Sequence, residues 1–527
     1  MPLAPRGQRW LRFGYFLLLG TVALFASATL AAEAIVRAKL LGTLEAAGIT
    51  NDEDARTSVQ VSLWHGSVLI TDLRLRSNTT GTAPLRIRGM VDTVAVEGLS
   101  YRGLLRDRLH MKRFTLRTHD LDLELRPDST KPTSSSSAFV SYRVEELDVQ
   151  GSGLSATQDD SAVYSVSLRS FVFNGGGGRF DQEPGGTWSM RLEGAHTMRF
   201  DSLVVNLNNE QCLTLSGLAL DRSRGTCTMN ELQFGPYDDL EHFAVTRALE
   251  QDVAQCHVSE VSIEGLSIPD GPDITSLSAR SITLKQAEAT IFRDKTRRDG
   301  PSPFKPLLAR LLRKLPQGAG VDSLLLEGAE IIYHERAAVA RGFGVVPFRQ
   351  MDAVITGARS PASDSAYCIA HAHCTTFGDS PVDFRFTTRV ADTTDRFEVE
   401  AHIGGMPFNA LNTVLGPLLD VQAITGRIDT IIMHMRADDR VAEGKVRLAY
   451  RDLRMVQGDV VTRKARNRPM SVLMNAVIRN EQELGDISRT DERYTLPRAR
   501  DRSIFNYLWR GLREGSKKVL LPEMMTR

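Results

Sequence analysis

The chain has 527 residues, with 65 basic and 64 acidic side chains and a formal net charge of +1. This balance argues against a dedicated nucleic-acid-binding protein, which normally carries a basic excess. A hydrophobic content of 42% and a charged content of 24% are ordinary for a folded protein and argue against wholesale disorder. Five cysteines, a small and odd number, imply no disulfide framework.

The first predicted element is a membrane-spanning helix. Phe13–Ala32 contains no charged residue, and at ~1.5 Å per residue such a run spans the ~30 Å hydrocarbon core of a bilayer. Arg6, Arg9 and Arg12 precede it, so the positive-inside rule keeps residues 1–12 in the cytoplasm and exports the rest. Two interpretations fit: an uncleaved signal anchor over residues 13–36, or a signal peptide cleaved near Ala26-Ser27-Ala28.

A recurrent phrase, apolar-x-x-apolar-x-apolar, follows the anchor. It reads VDTVAVEG at Val91–Gly98, VEELDVQG at Val144–Gly151, VSEVSIEG at Val258–Gly265 and VDSLLLEG at Val321–Gly328; looser copies begin at Ile70, Met111, Leu168, Phe200 and Met229. The last two apolar positions alternate with polar ones and predict a strand. The leading apolar position breaks this alternation and predicts a bulge or bend. The trailing glycine predicts a turn or bulge.

The phrases recur about every 20 to 33 residues, which is typical of irregular hairpin repeats. We therefore predict a mainly β protein: an elongated, curved, groove-like antiparallel sheet with an N-terminal transmembrane helix and a few short amphipathic helices. Residues 37–302 are predicted to form an N-terminal β-repeat region, residues 303–457 a C-terminal β region with short helices, and residues 458–527 a polar basic tail with a C-terminal amphipathic helix.

Several segments between the strands have distinctive composition. The segment PDSTKPTSSSS at Pro127–Ser137 predicts an exposed low-complexity loop, and Gly175–Gly178 predicts a flexible hairpin tip. From Val461 to Arg502 the pattern dissolves into charged and polar residues, which predicts a loose tail.

Three short helices are predicted, at Pro303–Leu315, Phe408–Leu415 and Ser503–Leu512. Gly416-Pro417 is expected to end the second. The first places leucines on one face and basic residues on the other, so it either lies on an anionic lipid surface or caps the sheet. The third, rich in aromatic and basic residues, either lies at a membrane interface or docks on the protein.

The search for catalytic chemistry finds little. His371 and His373, near Cys368 and Cys374, would share one strand face, but they lack the second spaced pair of a zinc site. The Gly175–Gly178 run is not followed by the Lys-Ser or Lys-Thr of a phosphate loop. We predict no enzyme activity, no metal and no cofactor. Two cysteine pairs are close enough in sequence to form disulfides, Cys212–Cys227 and Cys368–Cys374, and the state of Cys256 is left open.

An apolar face that recurs on successive strands must either be buried by other parts of the protein or bind an apolar partner. In an open groove this face holds acyl chains, whereas in a closed sandwich it forms the core. The candidate groove-lining residues occupy the fourth and sixth positions of three phrases: Leu147, Val149, Val261, Ile263, Leu324 and Leu326.

The second half of the chain carries a more specific order of motifs: PFKPLLARLLRKLP at residues 303–316, then FNALNTVLGPLLD at residues 408–420, then AEGKVRLAYRDL at residues 442–453. This order resembles the AsmA-like family of bacterial envelope proteins, relatives of TamB in the wider group of bridge-like lipid-transfer proteins. The resemblance implies a long curved sheet with an apolar inner face, an inner-membrane anchor and a body in the periplasm. It brings no catalytic motif.

Members of that family are implicated in moving phospholipid toward the outer membrane or in outer-membrane homeostasis. The resemblance thus implies a single-pass inner-membrane protein that holds or transfers phospholipid in the cell envelope. Its expected partners are membrane lipids and other envelope proteins, and no nucleic acid. The alternative is a non-lipid structural or assembly scaffold of the envelope. The lipid, its direction of travel and the energy source are left open.

Overall fold

A computed structural model describes residues 31, 34–38, 49–51, 57–77, 85–100, 102, 108–125, 141–158, 165–182, 188–208, 210–269, 276–298, 304–337, 342–360, 366–457, 481–482 and 492–520. Strands account for 67% of these described residues and helices for 14%, so the protein is mainly β, as predicted. The predicted anchor Phe13–Ala32, apart from Ala31, and the loop Pro127–Ser137 lie outside the described residues. Within the described residues, no helix has both the length and the apolar character needed to cross a membrane.

The chain divides into two compact units. Unit 1 comprises Met1–Asn209, Ser216–Ser223 and Asp270–Pro272, and unit 2 comprises Glu210–Leu215, Arg224–Pro269 and Asp273–Arg527. The strand β10, Gln211–Asp221, contributes residues to both. The division therefore falls inside the region 37–302 that the sequence treats as one.

Unit 1 contains the first nine strands. They are β1 Ile49–Asn51, β2 Ser58–Ser62, β3 Ser67–Ser77, β4 Leu85–Glu97, β5 Arg108–Leu125, β6 Ser141–Gln158, β7 Ser165–Gln182, β8 Trp188–Leu192 and β9 His196–Asn206. β1 and β2 pair with β3, and β3–β4–β5 is an antiparallel meander. β5 and β6 are parallel, and β7 then pairs antiparallel with β6, β8 and β9. A parallel pair requires a crossover connection between its two strands.

Unit 2 contains the later strands. They are β11 Thr226–Met229, β12 Glu231–Pro236, β13 Asp252–Glu264, β14 Ser278–Asp294, β15 Gly320–Arg336, β16 Gly344–Arg359, β17 Tyr367–Thr376, β18 Ser380–Arg389, β19 Phe397–Ile403, β20 Met406–Pro407, β21 Val421–Ala437, β22 Val441–Gln457, β23 Glu481–Gln482 and β24 Glu492–Pro497. Their pairing is antiparallel from β13 through β24, except that β14 and β15 are parallel.

Four α-helices lie in the described part of unit 2. They are α1 Leu240–Thr246, α2 Leu308–Arg313, α3 Asn412–Leu419 and α4 Ile504–Leu520. The helix α2 lies in the crossover between the parallel strands β14 and β15. Two 3₁₀ turns, Phe377–Asp379 and Phe408–Leu411, also lie in this unit.

The strands are locally irregular one or two residues after the leading residue of the phrase in β6 and β3. In β6 the ladder to β7 runs from Val144 to Glu146 and omits the residue between them. In β3, Asp72 takes a left-handed conformation with φ of 57°. Because of this bend Leu73 joins Ile70 in one core cluster, despite their odd spacing. An irregularity is therefore present near the leading residue, but it lies inside the strand rather than at its entry, since β3 and β6 each begin three residues before the phrase. Seven of the nine leading residues are buried: Ile70, Val91, Met111, Val144, Phe200, Val258 and Val321.

Three of the four trailing glycines fit their prediction. Gly98, Gly265 and Gly328 have φ values of 68°, 63° and 63°, a region that favours glycine. Gly151 differs because it lies inside β6, where the ring of Phe171 occupies the space that a Cβ would fill.

The prediction of a hairpin tip at Gly175–Gly178 is wrong. All four glycines lie inside β7, between β6 on one side and β8 and β9 on the other. A Cβ on Gly177 would lie 1.8 Å from the carbonyl oxygen of Val144. Glycine is needed here because neighbouring backbones approach too closely for a side chain, and a sequence alone does not reveal that approach.

The second predicted helix continues past the proline expected to stop it. α3 includes Pro417 and ends at Leu419. The next residue, Asp420, is left-handed, and its N–H donates to the carbonyl of Gly416. A proline removes only one backbone hydrogen bond from such a helix. Asn412 anchors the start of α3, since its side chain bonds both the N–H and the carbonyl of Ala423, at 2.7 and 3.0 Å.

The described parts of the C-terminal region contain regular structure where a loose tail is predicted. Within the expected loose tail, β24 pairs with β22. The predicted helix Ser503–Leu512 extends through Gly511 and Gly515 to Leu520. A Cβ on Gly515 would meet Cγ2 of Val446 at 2.3 Å. The two glycines therefore let α4 pack closely on the sheet, and this packing outweighs their low helix propensity.

Candidate functional site

One face of unit 1 is apolar across seven strands. Directly paired residues of neighbouring strands share a face, so the register defines two rows on β2–β7 and β9. The first row is Val59, Ile70, Val94, Leu116, Val149, Phe173 and Met198; the second is Val61, Val68, Val96, Phe114, Leu147, Gly175 and His196. The predicted lining residues Leu147 and Val149 sit in these rows and are half-buried.

Several row residues pack against one another and form a core cluster. Ile70, Leu73 and Val91 are buried together, and Val94 and Leu116 pack against them. At the end of the second row His196 is buried: its Nε2 lies 3.1 Å from the carbonyl oxygen of Gly177, and burial lowers its pKa. The apolar rows thus lie on a framework of paired strands, and most of their residues remain partly exposed.

The opposite face of unit 1 is charged and wet. Arg117 donates to Asp148 at 2.7 Å, and Arg113 lies 2.6 Å from Glu146. The hydrogen bond from Arg117 holds the pKa of Asp148 below its ordinary value. Such exposed pairs contribute little to stability. They instead mark the side of the sheet that faces water, which leaves the other side for apolar contacts.

Unit 2 has a corresponding apolar face across β11, β13–β19 and β21. Its first row is Cys227, Ile263, Ile282, Leu324, Ile355, Ala370, Phe386, Val399 and Met435; its second is Met229, Val261, Leu284, Leu326, Ala353, Ala372, Phe384, Ala401 and Met433. The structure brings the four predicted lining residues of unit 2 onto this face. Ile263, Leu324 and Leu326 are half-buried, and Val261 is buried.

Two helices cover the later part of that face. Tyr507 of α4, and Leu307 at the start of α2, are buried against Phe386, Val399 and Met435. The side chain of Leu312 reaches the cluster that includes Cys368 and Ile355. From β16 onward most row residues therefore belong to a packed core. The row residues of β11–β15 belong to neither of these two clusters.

The basic face of α2 is engaged within the protein. Arg310 lies 2.8 Å from Asp395, and Arg313 pairs with the same buried carboxylate. Arg313 also donates to the carbonyl of Val390 at 2.9 Å. These contacts agree with the capping interpretation of this helix rather than with a helix lying on lipid.

Histidines cluster on the polar face of unit 2. His371 and His373 share one face of β17, as predicted, and His402 and His434 from β19 and β21 join them at an open concavity of ≈ 630 Å³. The Nδ1 of His373 lies 2.8 Å from Asp383. Sequence patterns do not reveal the last two histidines as members of this cluster, because they lie on strands that are distant in the chain. Within the described residues, no group of three ligands is placed to hold a metal.

The cysteines are free thiols. Cys212, Cys227, Cys256, Cys368 and Cys374 form no disulfide in the structure. Cys368 and Cys374 stand six residues apart on one extended strand, where at ~3.3 Å per residue their Cα atoms are much too far apart to bridge. Burial raises the pKa of both thiols to about 11, so neither is an activated nucleophile.

The rows also contain residues that were not predicted from the sequence. Leu116, Phe173, Ile282 and Leu284 lie between or beside the predicted positions. The alternation of apolar and polar residues around these positions is the pattern that predicts them. Comparison of the chain with protein-family models and with curated proteins found no match.

Proposed function

We propose that this protein is a membrane-anchored periplasmic protein that holds or transfers phospholipid in a bacterial cell envelope and so supports outer-membrane homeostasis. In this proposal the strands form an elongated, curved, groove-like sheet whose apolar inner face contacts acyl chains. The observation that carries the proposal is the pair of half-buried apolar rows on unit 1, backed by a charged face. Soluble proteins rarely leave so large an apolar surface without a use.

The energetics of hydrocarbon binding fit such a surface. Each methylene removed from water contributes about 0.8 kcal/mol, so ten methylenes contribute about 8 kcal/mol, equivalent to a dissociation constant near ~1 μM before ordering costs. Branched and aromatic side chains such as Val149, Leu116 and Phe173 offer no directional hydrogen bonds. A surface of this kind selects for chain length rather than headgroup.

A structural scaffold is the second candidate, and the filled core of unit 2 favours it. There the same kind of apolar row is buried under α2 and α4. In that alternative an envelope partner covers the rows of unit 1, and no lipid binds to them.

A charge placed in the rows separates the two candidates. Val149→Asp should reduce the phospholipid that co-purifies with the full chain, measured by mass spectrometry, by about fivefold or more, because an ionised carboxylate strongly disfavours contact with hydrocarbon. The matched control is Gln150→Asp on the opposite face, which should retain lipid. Circular dichroism should show both variants folded. Lipid retention by folded Val149→Asp, or unfolding of that variant alone, contradicts the lipid-holding proposal.

A further inference from the structure

The C-terminal helix α4 has an outward stripe with an unusual composition. Phe505 and Trp509 are 74% and 48% exposed, and Arg513 and Lys517 continue the stripe at a spacing of four residues. The opposite stripe, Tyr507, Gly511, Gly515 and Val519, is buried against the sheet. The helix cannot rotate to hide its aromatic side chains, because Gly511 and Gly515 contact the sheet too closely for any larger residue.

The charge on this helix is strongly positive. Residues 504–520 contain four cations, Arg510, Arg513, Lys517 and Lys518, and one acid, Glu514. Glu514 lies 3.1 Å from Arg513 and 3.4 Å from Lys517, so it neutralises only part of the stripe.

We propose that this stripe docks on the surface of an anionic phospholipid bilayer. A helix that lies flat on such a surface places aromatic rings at the level of the headgroups, while Lys and Arg pair with the phosphates. Phe505 and Trp509 supply the rings, and Arg513 and Lys517 supply the cations. The positive charge of the helix complements an anionic membrane. The inference goes beyond the proposed function, because it needs no lipid in the apolar rows.

Tryptophan fluorescence tests this docking in the full chain. The sequence has four tryptophans, Trp10, Trp64, Trp188 and Trp509. A protein that keeps only Trp509, with the others changed to phenylalanine, is reconstituted into vesicles containing brominated lipids. With about 30 mol % phosphatidylglycerol we expect at least about twofold quenching of Trp509, and little quenching in phosphatidylcholine alone.

The control keeps only Trp64, which is exposed in unit 1 and should stay unquenched in both vesicles. Arg513→Glu combined with Lys517→Glu should abolish the quenching of Trp509; both side chains are exposed, so the variant should fold. Absence of quenching in anionic vesicles, equal quenching in neutral ones, or insensitivity to the charge reversal would overturn the proposal. Shielding of Trp509 without lipid would instead indicate a second protein copy at this surface and would also overturn it.

Discussion

Replacing Gly177 by alanine should destabilise unit 1 by about 3 kcal/mol or more. The new Cβ would lie 1.8 Å from the carbonyl oxygen of Val144 and 2.9 Å from Cα of Glu145. These are backbone atoms and cannot rotate away, so β6 and β7 must separate and lose ladder hydrogen bonds. Hydrogen exchange of peptides from β6 and β7 in increasing urea measures the change for this unit alone.

Gly178 provides a matched control in the next position. A Cβ there would meet Cε2 of Phe180 at 3.4 Å and Cδ1 of Leu147 at 3.6 Å, which are ordinary contacts. Gly178→Ala should therefore change stability by less than about 1 kcal/mol. Equal effects of the two substitutions would show that the close backbone approach in β7 is not what requires glycine.

Replacing Asp395 by alanine should destabilise unit 2 by about 3 kcal/mol. Its carboxylate is fully buried and pairs with Arg310 and Arg313 of α2. Removal leaves Arg310 and Arg313 without this carboxylate. Because both arginines are partly exposed, we expect a loss of stability at the lower end of the range for broken buried ion pairs. The backbone adds to it, because Asp395 has a φ of 59°, which asparagine tolerates better than alanine does. Urea unfolding followed by exchange in β17–β19 measures the effect.

Two comparison variants make this prediction specific. Asp395→Asn keeps the shape and the left-handed backbone and should fall between the wild type and Asp395→Ala. Glu398→Ala removes a partner of Arg436 at 2.9 Å, where the side chains are 59% and 82% exposed, and should cost less than about 1 kcal/mol. A loss from Glu398→Ala as large as that from Asp395→Ala would refute the role assigned to the buried carboxylate.

The strands were predictable because their signal is local. The phrase beginning at Val144 contains its own alternation, and it lies in β6; the copies beginning at Val258 and Val321 lie in β13 and β15. The irregularity near the leading residue was also visible, as a break in that alternation. These features depend on neighbours one to six residues apart, which a sequence displays directly.

The remaining features depend on contacts between distant segments. The need for glycine at position 177 comes from the backbone of another strand, and the close packing of α4 at Gly515 involves Val446 in β22. The cover over the apolar face of unit 2 comes from Leu307 and Tyr507, which are 200 residues apart in the chain. For the same reason the sequence predicted the apolar face but not which part of it is filled.

In the proposed function the apolar rows contact lipid and the opposite face does not. Leu324 and Leu325 distinguish the two faces, because they are identical residues, adjacent in β15, on opposite faces. A photoreactive phenylalanine analogue at position 324 in the full chain, expressed in bacterial membranes, should cross-link to phospholipid acyl chains on irradiation, and the analogue at position 325 should not. Lipid adducts at neither position, or equally at both, would show that the apolar rows are not a lipid-binding face.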